Sequence, residues 1–502
     1  MRLNRPSISA AAVLAGIWFA AAPCRGEGES GSWNGFAGNA QHTAQAPAKS
    51  QPLQRIRWQT PVDLNPQYAG NSLLAHYGSP LVTPANTVIV PVKTGETGGF
   101  RLDARKGVDG SLVWSLPTDY VLPLHNWTPP YGPVLTPASR LYFPGADGTV
   151  FYRDQPDSPE GDVGQIAFYG WPAYSAGRED YDGAVMINTP LTSDSSGVVY
   201  FGFAVAGPTP LGLASGIARI GPDGESTWIS AAAASADPVM SKVAQNCAPA
   251  LSPDGRLLYV AVSNAGAGYL LALDSRTLQP ISRVRLTDPN TGRDAVLSDD
   301  GSASPVAGPD GDVYYGVLEN PFGGNRGRGW LLHFDAFLTR SKTPASFGWD
   351  TTPSLVPTAT VASYNGSSPY LLMTKYNNYP GLGGDGANRI AVLDPGASNI
   401  DEATGVPVMT EVLTALGLTP DGEPPAVKEW CINSAAVDPE SRSVLAHSED
   451  GKLYRWDLES NSLSESVTLT DGLGEAYTPT IVGVDGTVYA ISNAILFAVG
   501  EL

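Results

Sequence analysis

Few side chains in this chain have the type and spacing that chemistry requires. The five histidines are far apart, and none stands at the spacing of metal ligands. The histidines are His42, His76, His125, His333 and His447. His-Glu-x-x-His, Gly-x-Ser-x-Gly, phosphate-binding glycine loops and zinc cysteine pairs do not occur in the sequence. Glu429 and Glu475 are the best candidates for general acid or base catalysis. We therefore expect no metal site. Whether the protein is an enzyme stays open, and a non-catalytic function is favoured.

A second group of side chains combines aromatic rings with amides and fits binding better than catalysis. Rings stack on flat molecules and amides fix orientation, so such a set suits a neutral polar ligand, for example a sugar or a flat cofactor. The same residues could equally serve as packing and as hydrogen bonds at strand ends. The ligand-binding candidates are His76, Tyr77, Trp127, Tyr131, Asn188, Asn246, Asp350, Tyr376, Asn377, Asn378, Trp430, Asn433 and Tyr477.

Most of these candidates stand just before one of eight recurring strand openings. Each opening is a small residue followed by proline, or once by alanine, and a second apolar run follows each one. The openings are 44 to 82 residues apart, and a strand-containing unit of this size indicates a repeat architecture. The proline or alanine positions are Pro80, Pro133, Pro190, Pro249, Pro305, Pro353, Ala435 and Pro479.

The fifth unit shows how one repeat becomes a blade. Residues 304–307, 313–317, 330–335 and 346–349 have the composition of four strands, and Asp310-Gly311 is a turn signal between the first two. We therefore predict an all-β chain, an eight-bladed β-propeller of four-stranded antiparallel blades, with a seven-bladed ring as the second choice. The eighth unit has three strands before the chain stops. Residues 54–60 are predicted to supply its fourth strand and close the ring.

The repeat resembles that of the PQQ-like, or quinoprotein-like, β-propellers. Leu102-Asp103-Ala104 followed by Gly110 to Trp114 is the clearest instance, and Leu273-Asp274 and Phe334-Asp335 repeat its middle part. The resemblance covers about residues 54–502, and Tyr376 to Gly386 and Glu429 to Ser434 look like segments of uncharacterised secreted bacterial propellers. It implies the fold more strongly than any activity.

Two functions are found among proteins of this resemblance. One is a dehydrogenase that uses pyrroloquinoline quinone (PQQ) and calcium, and it typically carries a vicinal cysteine pair that this sequence lacks. The other is a non-catalytic scaffold of the bacterial envelope. Our leading hypothesis is a ligand- or partner-binding scaffold that requires no cofactor. The alternative is a PQQ- and calcium-dependent dehydrogenase that oxidises an alcohol or a sugar.

The N-terminus predicts export. Arg2, Arg5 and the apolar run 8–22 are typical of a signal peptide, which we assign to residues 1–26. Lipid attachment at Cys24 is disfavoured, because Pro23 stands where lipidation signals carry a small residue. Residues 27–53 are predicted to be an extended segment and 54–502 a single propeller, so we expect a periplasmic or extracellular monomer with no transmembrane span.

The charge of the chain excludes one class of partner. Its formal net charge is −19, and removal of the three arginines of residues 1–26 would make it −22. A surface of this sign repels nucleic acid. Possible partners are therefore a protein, a glycan or a small polar ligand.

Long loops are predicted on one face of the ring. Residues 206–215, 319–328 and 376–388 would each connect the second and third strands of a blade, and long loops on a rigid scaffold commonly carry binding sites. Residues 396–427 are assigned to an insertion between blades six and seven. The run 408–416 within it is expected to form a short amphipathic helix that ends at Gly417.

Overall fold

Short runs of β-branched and aromatic residues, separated by tight turns, form eight antiparallel sheets around a central channel. The structure is a computed structural model that describes residues 32–96, 98–475 and 479–501, with the backbone alone at 474 and 475. The predicted eight-bladed β-propeller is thereby confirmed, and the seven-bladed alternative is wrong. The signal peptide, Cys24 and Tyr477 lie outside the described residues.

Each blade begins with a short inner strand beside the channel and proceeds outward. Blade one contains Leu81–Val82, Thr87–Lys93, Gly98–Lys106 and Leu112–Val121, and blade two contains Val134–Leu135, Leu141–Pro144, Thr149–Arg153 and Val163–Ala167. Blade three contains Val185–Ile187, Thr192–Ser193, Val199–Val205, Gly216–Ile220 and Ser226–Ser230. Blade four contains Lys242–Val243, Ala250–Leu251, Leu257–Ser263, Gly268–Asp274 and Pro280–Arg285. Blade five contains Val306–Ala307, Val313–Val317 and Trp330–Phe334, and blade six contains Ser354–Pro357, Tyr370–Tyr376, Arg389–Ile400 and Pro407–Leu416. Blade seven contains Ala436–Asp438, Ser443–His447, Lys452–Asp457 and Ser462–Thr468. Blade eight contains Ile481–Val482, Val488–Ser492, Ile495–Gly500 and Arg55–Pro61.

The remaining elements are small. Tyr68–Ala69, Ser72–Leu73 and Gly474–Glu475 form a minor three-stranded sheet outside the blades. The helical elements are Trp171–Ala176 and Ala231–Ser235, with 3₁₀ turns at Ala146–Gly148, Arg178–Asp180, Thr358–Thr360 and Pro380–Leu382. Within the described part of the chain, no helix is long and apolar enough to cross a bilayer.

Two local predictions are wrong, the strand at 346–349 and the helix at 408–416. Residues 346–349 form no strand in blade five, where two isolated bridges, Leu331 with Ala345 and Phe334 with Ser341, stand in place of an outer strand. The expected helix at 408–416 is a strand, Pro407–Leu416, paired along Arg389–Ile400.

The misread helix has a physical explanation. Its apolar residues fit a helical spacing, but Thr410, Val412 and Thr414 are β-branched and Leu413 and Ala415 alternate as buried positions of a strand. A long hairpin with register shifts accommodates the run. Residues 396–400 and 407–416 of the assigned insertion therefore belong to blade six.

The N-terminal strand closes the ring as predicted. Arg55–Pro61 pairs antiparallel with Ile495–Gly500, from Arg55 opposite Gly500 to Pro61 opposite Ile495. The last strand of the chain therefore has a partner on each side, because Val488–Ser492 covers its other edge. Closure hides both ends of the sheet that the chain termini would otherwise leave open.

The residues before this strand enter the channel, which the sequence did not predict. We call residues 33–46 the plug segment. In six blades the backbone N–H of the second residue after the opening proline or alanine donates to a plug carbonyl, at 2.7 to 3.1 Å. The six pairs are Val82 to Trp33, Leu135 to Asn34, Leu251 to Ala40, Ala307 to Gln41, Leu355 to Thr43 and Val437 to Ala44.

The need for these bonds follows from the repeat itself. An inner strand has a neighbour on its outer side only, so its other edge presents unpaired N–H groups to the channel, and buried donors must find acceptors. The plug segment curls to supply them, with positive φ at Ala37, His42 and Ala44. His42 Nδ1 lies 2.7 Å from the carbonyl oxygen of Pro305, and burial lowers the pKa of His42 to about 4.

We expect Trp33→Ala to destabilise the protein by about 3 to 5 kcal/mol, the usual cost of truncating a buried tryptophan. Trp33 is fully buried, and its backbone exchanges two hydrogen bonds with Val82. Chemical denaturation measures the change. Trp171→Ala is the control, because Trp171 is 48% exposed. Equal effects of the two substitutions would contradict a structural role for the plug segment.

Candidate functional site

The three long loops predicted by the sequence connect the second and third strands of their blades. Residues 206–215, 318–329 and 377–388 fill the gaps between those strands in blades three, five and six. In an antiparallel meander these loops share a face with the connections that lead into the inner strands. Glu319 organises the loop of blade five, since its carboxylate accepts from the N–H groups of Gly323, Gly327 and Gly329 at 2.6 to 2.9 Å.

A cavity lies where the inner strands begin, with about 400 Å³ of space not filled by atoms when the part that is open to solvent is counted. We call it the mouth cavity. Residues of seven blades, or of the connections just before them, and one residue of the plug segment line it. The lining residues are Phe36, His76, Tyr77, Ser79, Pro130, Gly132, Pro133, Pro190, Asn246, Ser302, Asn433 and Pro479. Four of the predicted ligand-binding residues, His76, Tyr77, Asn246 and Asn433, are in this lining.

A short loop before blade five extends across the channel mouth. We call residues 298–302 the cap loop. His76 of blade one lies opposite, and its Nε2 is 2.9 Å from the carbonyl oxygen of Asp300. On the near side, Lys242 of blade four forms an ion pair with Asp299 at 2.5 Å. The cap loop thus bridges blades that face each other across the ring.

The end of the cap loop is held by two further blades. Asp350, before blade six, accepts hydrogen bonds through Oδ1 from the Ser302 N–H at 2.6 Å and the Ser302 hydroxyl at 2.5 Å. Asn433 of blade seven donates from Nδ2 to the Ser302 carbonyl at 3.1 Å and to its hydroxyl at 2.7 Å. Asp350 has a φ of 55°, a conformation that Asp tolerates better than most residues.

Three lining residues keep a buried polar atom without a hydrogen-bond partner among the described residues. These atoms are His76 Nδ1, Asn246 Oδ1 and Asn433 Oδ1. The three side chains are 1 to 3% exposed, so bulk water does not satisfy them. A buried polar atom without a partner is costly, and a site where several occur is a place for a ligand or an ordered water.

Five of the predicted ligand-binding residues do not line the mouth cavity and contact other parts of the blades; they are Tyr131, Tyr376, Asn377, Asn378 and Trp430. Tyr131 stacks on Phe100 at 4.5 Å and donates its hydroxyl hydrogen to the Pro144 carbonyl at 2.6 Å. Asn377 pairs with the backbone of Trp430 in both directions, at 3.0 and 3.3 Å. The remaining two bond within or beside the loop of blade six: Tyr376 accepts from Arg328, and Asn378 donates to Asp385.

Three other candidates stand close to the mouth cavity without lining it. The Trp127 ring lies 5.9 Å from that of His76. Asn188 donates to the Val243 carbonyl at 3.1 Å, and its own carbonyl accepts from the N–H of Asn246 at 2.9 Å. Asp350 holds the cap loop. Of Glu475 only the backbone is described, in its short strand beside Ser72–Leu73.

Glu429 lies in a charged group below the cap loop with Lys375. Burial and the nearby Glu449 raise the pKa of Glu429 to about 7. Burial lowers the pKa of Lys375 to about 7, although Asp350 and other acids act against the shift. Lys375 donates from Nζ to the Asp350 carbonyl at 3.1 Å, and so it supports the residue that anchors the cap loop.

We expect the stability of the protein to rise between about pH 7 and pH 10 because of Lys375. In this range the unfolded chain binds more protons than the folded one, since the pKa of Lys375 is about 7 when folded and about 10.5 when unfolded. Lys375→Met should remove this rise. The free energy of unfolding of the natural protein, relative to that of the variant, should therefore increase with pH. Melting temperatures across that range test it, with the exposed Lys106→Met as control. If the difference in stability between the two proteins does not vary with pH, the lowered pKa of Lys375 is contradicted.

Phe36 is the lining residue that sequence reasoning missed. It forms part of the cavity wall and packs edge-on against His42, with ring centroids 5.0 Å apart. The plug segment, which carries Phe36, has no periodic pattern. It lies within residues 27–53, which the sequence predicts to be extended. Trp33 and Phe36, two aromatics in a run rich in glycine and alanine, were the available signal.

Comparison with known proteins identifies the fold. No protein-family model and no curated protein sequence matches the chain. A europium-containing methanol dehydrogenase superimposes with a TM-score of 0.56 at 10% identity, and covers 92% of this chain and 89% of its own. Quinohemoprotein alcohol dehydrogenase from Comamonas testosteroni gives 0.55 at 12%, with 93% and 77% covered. BamB from Moraxella catarrhalis gives 0.46 at 12%, with 84% and 96% covered.

These likenesses establish architecture alone. At 10 to 13% identity, neither the chemistry nor the ligands of the solved structures transfer to this chain. The superposition on BamB is too loose to support an inference about function. The chain has the eight-bladed β-propeller fold found in the quinoprotein dehydrogenases.

Proposed function

We propose that this chain is an exported propeller that binds a small ligand in the mouth cavity and does not catalyse a reaction on it. The observation that carries the proposal is a partly open cavity at the point where most of the inner strands begin. Binding sites of small molecules are concave, largely apolar and supplied with a few convergent polar groups. Export is supported by the signal-like pattern of residues 1–26.

The walls of the mouth cavity suit binding. Four prolines and Phe36 provide apolar surface, and His76, Asn246 and Asn433 provide the unpartnered polar atoms. The cap loop covers the opening, and the plug segment fills the channel farther along the inner strands. A ligand would therefore be enclosed between the two. Among the described lining residues, the hydroxyls of Tyr77 and Ser302 donate to the carboxylates of Asp63 and Asp350, and neither forms the hydroxyl–histidine pair typical of an activated nucleophile.

The lining does not fit pyrroloquinoline quinone. This cofactor carries three carboxylates, and buried carboxylates require cationic or N–H donors. The described lining contains no arginine or lysine, and its unpartnered atoms include two amide oxygens, which would face the carboxylates with like partial charge. Nearby Lys242 is already paired with Asp299.

The donor set does not fit calcium either. Calcium sites in proteins use several oxygen ligands with carboxylates among them. In the described part of the chain, no group of three His, Cys, Asp or Glu side chains is arranged to hold a metal ion. The carboxylate of Asp350, which contacts the lining residue Ser302, is engaged by the N–H and hydroxyl of that residue.

We expect purified protein mixed with PQQ and calcium to gain no bound quinone absorbance and to reduce no artificial electron acceptor. The reason is the lack of cationic donors in the mouth cavity. Absorbance after gel filtration and dye reduction with alcohols and sugars are the two measurements. Stoichiometric quinone binding with turnover would overturn the proposal in favour of the dehydrogenase.

We also expect that Ser79→Leu abolishes the thermal stabilisation produced by ligands of the natural protein. Ser79 lines the mouth cavity, and the larger side chain would occupy its space. A differential scan of both proteins against polar small molecules of several classes makes the comparison. Ser363→Leu, at an exposed position, is the control. Compounds that stabilise all three proteins equally would place binding elsewhere.

A further inference from the structure

We infer that the mouth cavity takes a primary ammonium group, so the ligand is an organic amine with an apolar body. The inference rests on the proposed function and names its ligand class. It follows from the kind of polar atom that each lining residue leaves unused. All of these atoms are hydrogen-bond acceptors.

The first acceptor is Nδ1 of His76. The Nε2 atom of this ring lies 2.9 Å from the carbonyl oxygen of Asp300. A carbonyl oxygen only accepts hydrogen bonds, so Nε2 must carry the proton. In the neutral imidazole the other nitrogen, Nδ1, then holds a lone pair. It has no partner among the described residues and is buried.

The second and third acceptors are the amide oxygens of Asn246 and Asn433. Asn246 donates from Nδ2 to the carbonyls of Asp299 and Gly301, at 3.2 and 2.9 Å. Asn433 donates from Nδ2 to the carbonyl and hydroxyl of Ser302. The carbonyl acceptors fix which end of each amide is nitrogen, so the unpartnered atom is oxygen in both cases.

The other polar side chains of the described lining have no donor to spare. Tyr77 donates its hydroxyl hydrogen to Asp63 at 3.0 Å. Ser79 donates to the carbonyl of Pro80 at 3.1 Å, and Ser302 donates to Asp350 at 2.5 Å. A ligand in this cavity must therefore bring the hydrogens.

A primary ammonium matches this demand better than an alcohol. It carries three N–H donors and no acceptor, against three acceptors contributed by blades one, four and seven. Each hydroxyl of a sugar or polyol would bring lone pairs that the lining leaves unsatisfied. Phe36 and Tyr77 supply aromatic surface for a cation, and the chain is acidic overall, which favours cationic ligands.

Three probes of nearly the same shape separate the possible contributions. Cyclohexylammonium offers charge and three N–H donors, cyclohexanol offers one neutral hydroxyl, and cyclohexyltrimethylammonium offers charge without any N–H. Isothermal titration of the natural protein should give a dissociation constant for cyclohexylammonium at least tenfold below those of the other two. Equal affinity for cyclohexanol or for the trimethylated cation, or no saturable binding of the amine, would overturn the inference.

Variants at the acceptors test the site itself. Asn246→Leu and Asn433→Leu preserve side-chain volume and remove the oxygen, so each should weaken amine binding at least tenfold. Asn433→Asp loses the same Nδ2 bonds to Ser302 as Asn433→Leu but keeps an acceptor and adds negative charge, so it should bind the amine at least tenfold more tightly than Asn433→Leu; this pair separates the oxygen from the support that Asn433 gives the cap loop. If the leucine variant fails to fold, measurable amine binding by Asn433→Asp supports the inference and its absence contradicts it. Asn126→Leu is the control, since Asn126 is exposed and bonds only the carboxylate of Asp300. Loss of binding in this control, or none in the leucine variants, would contradict the assignment.

Failure of the amine inference is distinguishable from failure of the proposed function. If Ser79→Leu removes stabilisation by some other compound while cyclohexylammonium does not bind, the cavity is a site and its ligand is not an amine. If Ser79→Leu and the natural protein respond alike to all compounds, the cavity is not the site.

Discussion

The hydrogen bonds between the plug segment and the inner strands are the constraint on which the rest of the molecule depends. A propeller blade leaves the edge of its first strand open toward the axis. In six blades the N–H of the second residue after the opening proline or alanine finds its acceptor in one stretch of fourteen residues, 33–46. Where water does not reach the inner strands, such an acceptor segment is needed, because a buried backbone N–H without a hydrogen-bond partner destabilises the folded state.

The plug segment also changes what the channel is. It fills part of the channel, and Phe36 and the cap loop border the mouth cavity, which is partly open to solvent. Around the mouth cavity, His76, Asn246 and Asn433 direct their donors to the cap loop, and each leaves one buried acceptor without a partner among the described residues. The bonds that position the cap loop thus leave the acceptors on which the proposed ligand site depends.

The repeat made the fold predictable, because the period, the turns and the incomplete eighth unit all pointed to the same ring. It also located part of the site, since His76, Asn246 and Asn433 precede inner strands. It could not separate these from Tyr131 or Asn377, because whether an aromatic or amide faces the channel or its neighbours depends on packing between blades. The plug segment lacks a periodic signal, and the run 407–416 fits two periods. Both were beyond local reasoning.

Ring closure has a consequence for the order in which the chain can fold. The plug segment bonds inner strands from Val82 to Val437, and Arg55 pairs with Gly500, so residues made first find their partners among residues made last. Contacts of such sequence separation slow folding, because loop entropy is lost before most of the native contacts form. Blade eight combines Arg55–Pro61 with Ile481–Val482, Val488–Ser492 and Ile495–Gly500, so it cannot be completed before these late residues are present. The outer strand of this blade therefore waits, unpaired, while the seven blades made of contiguous residues are synthesised.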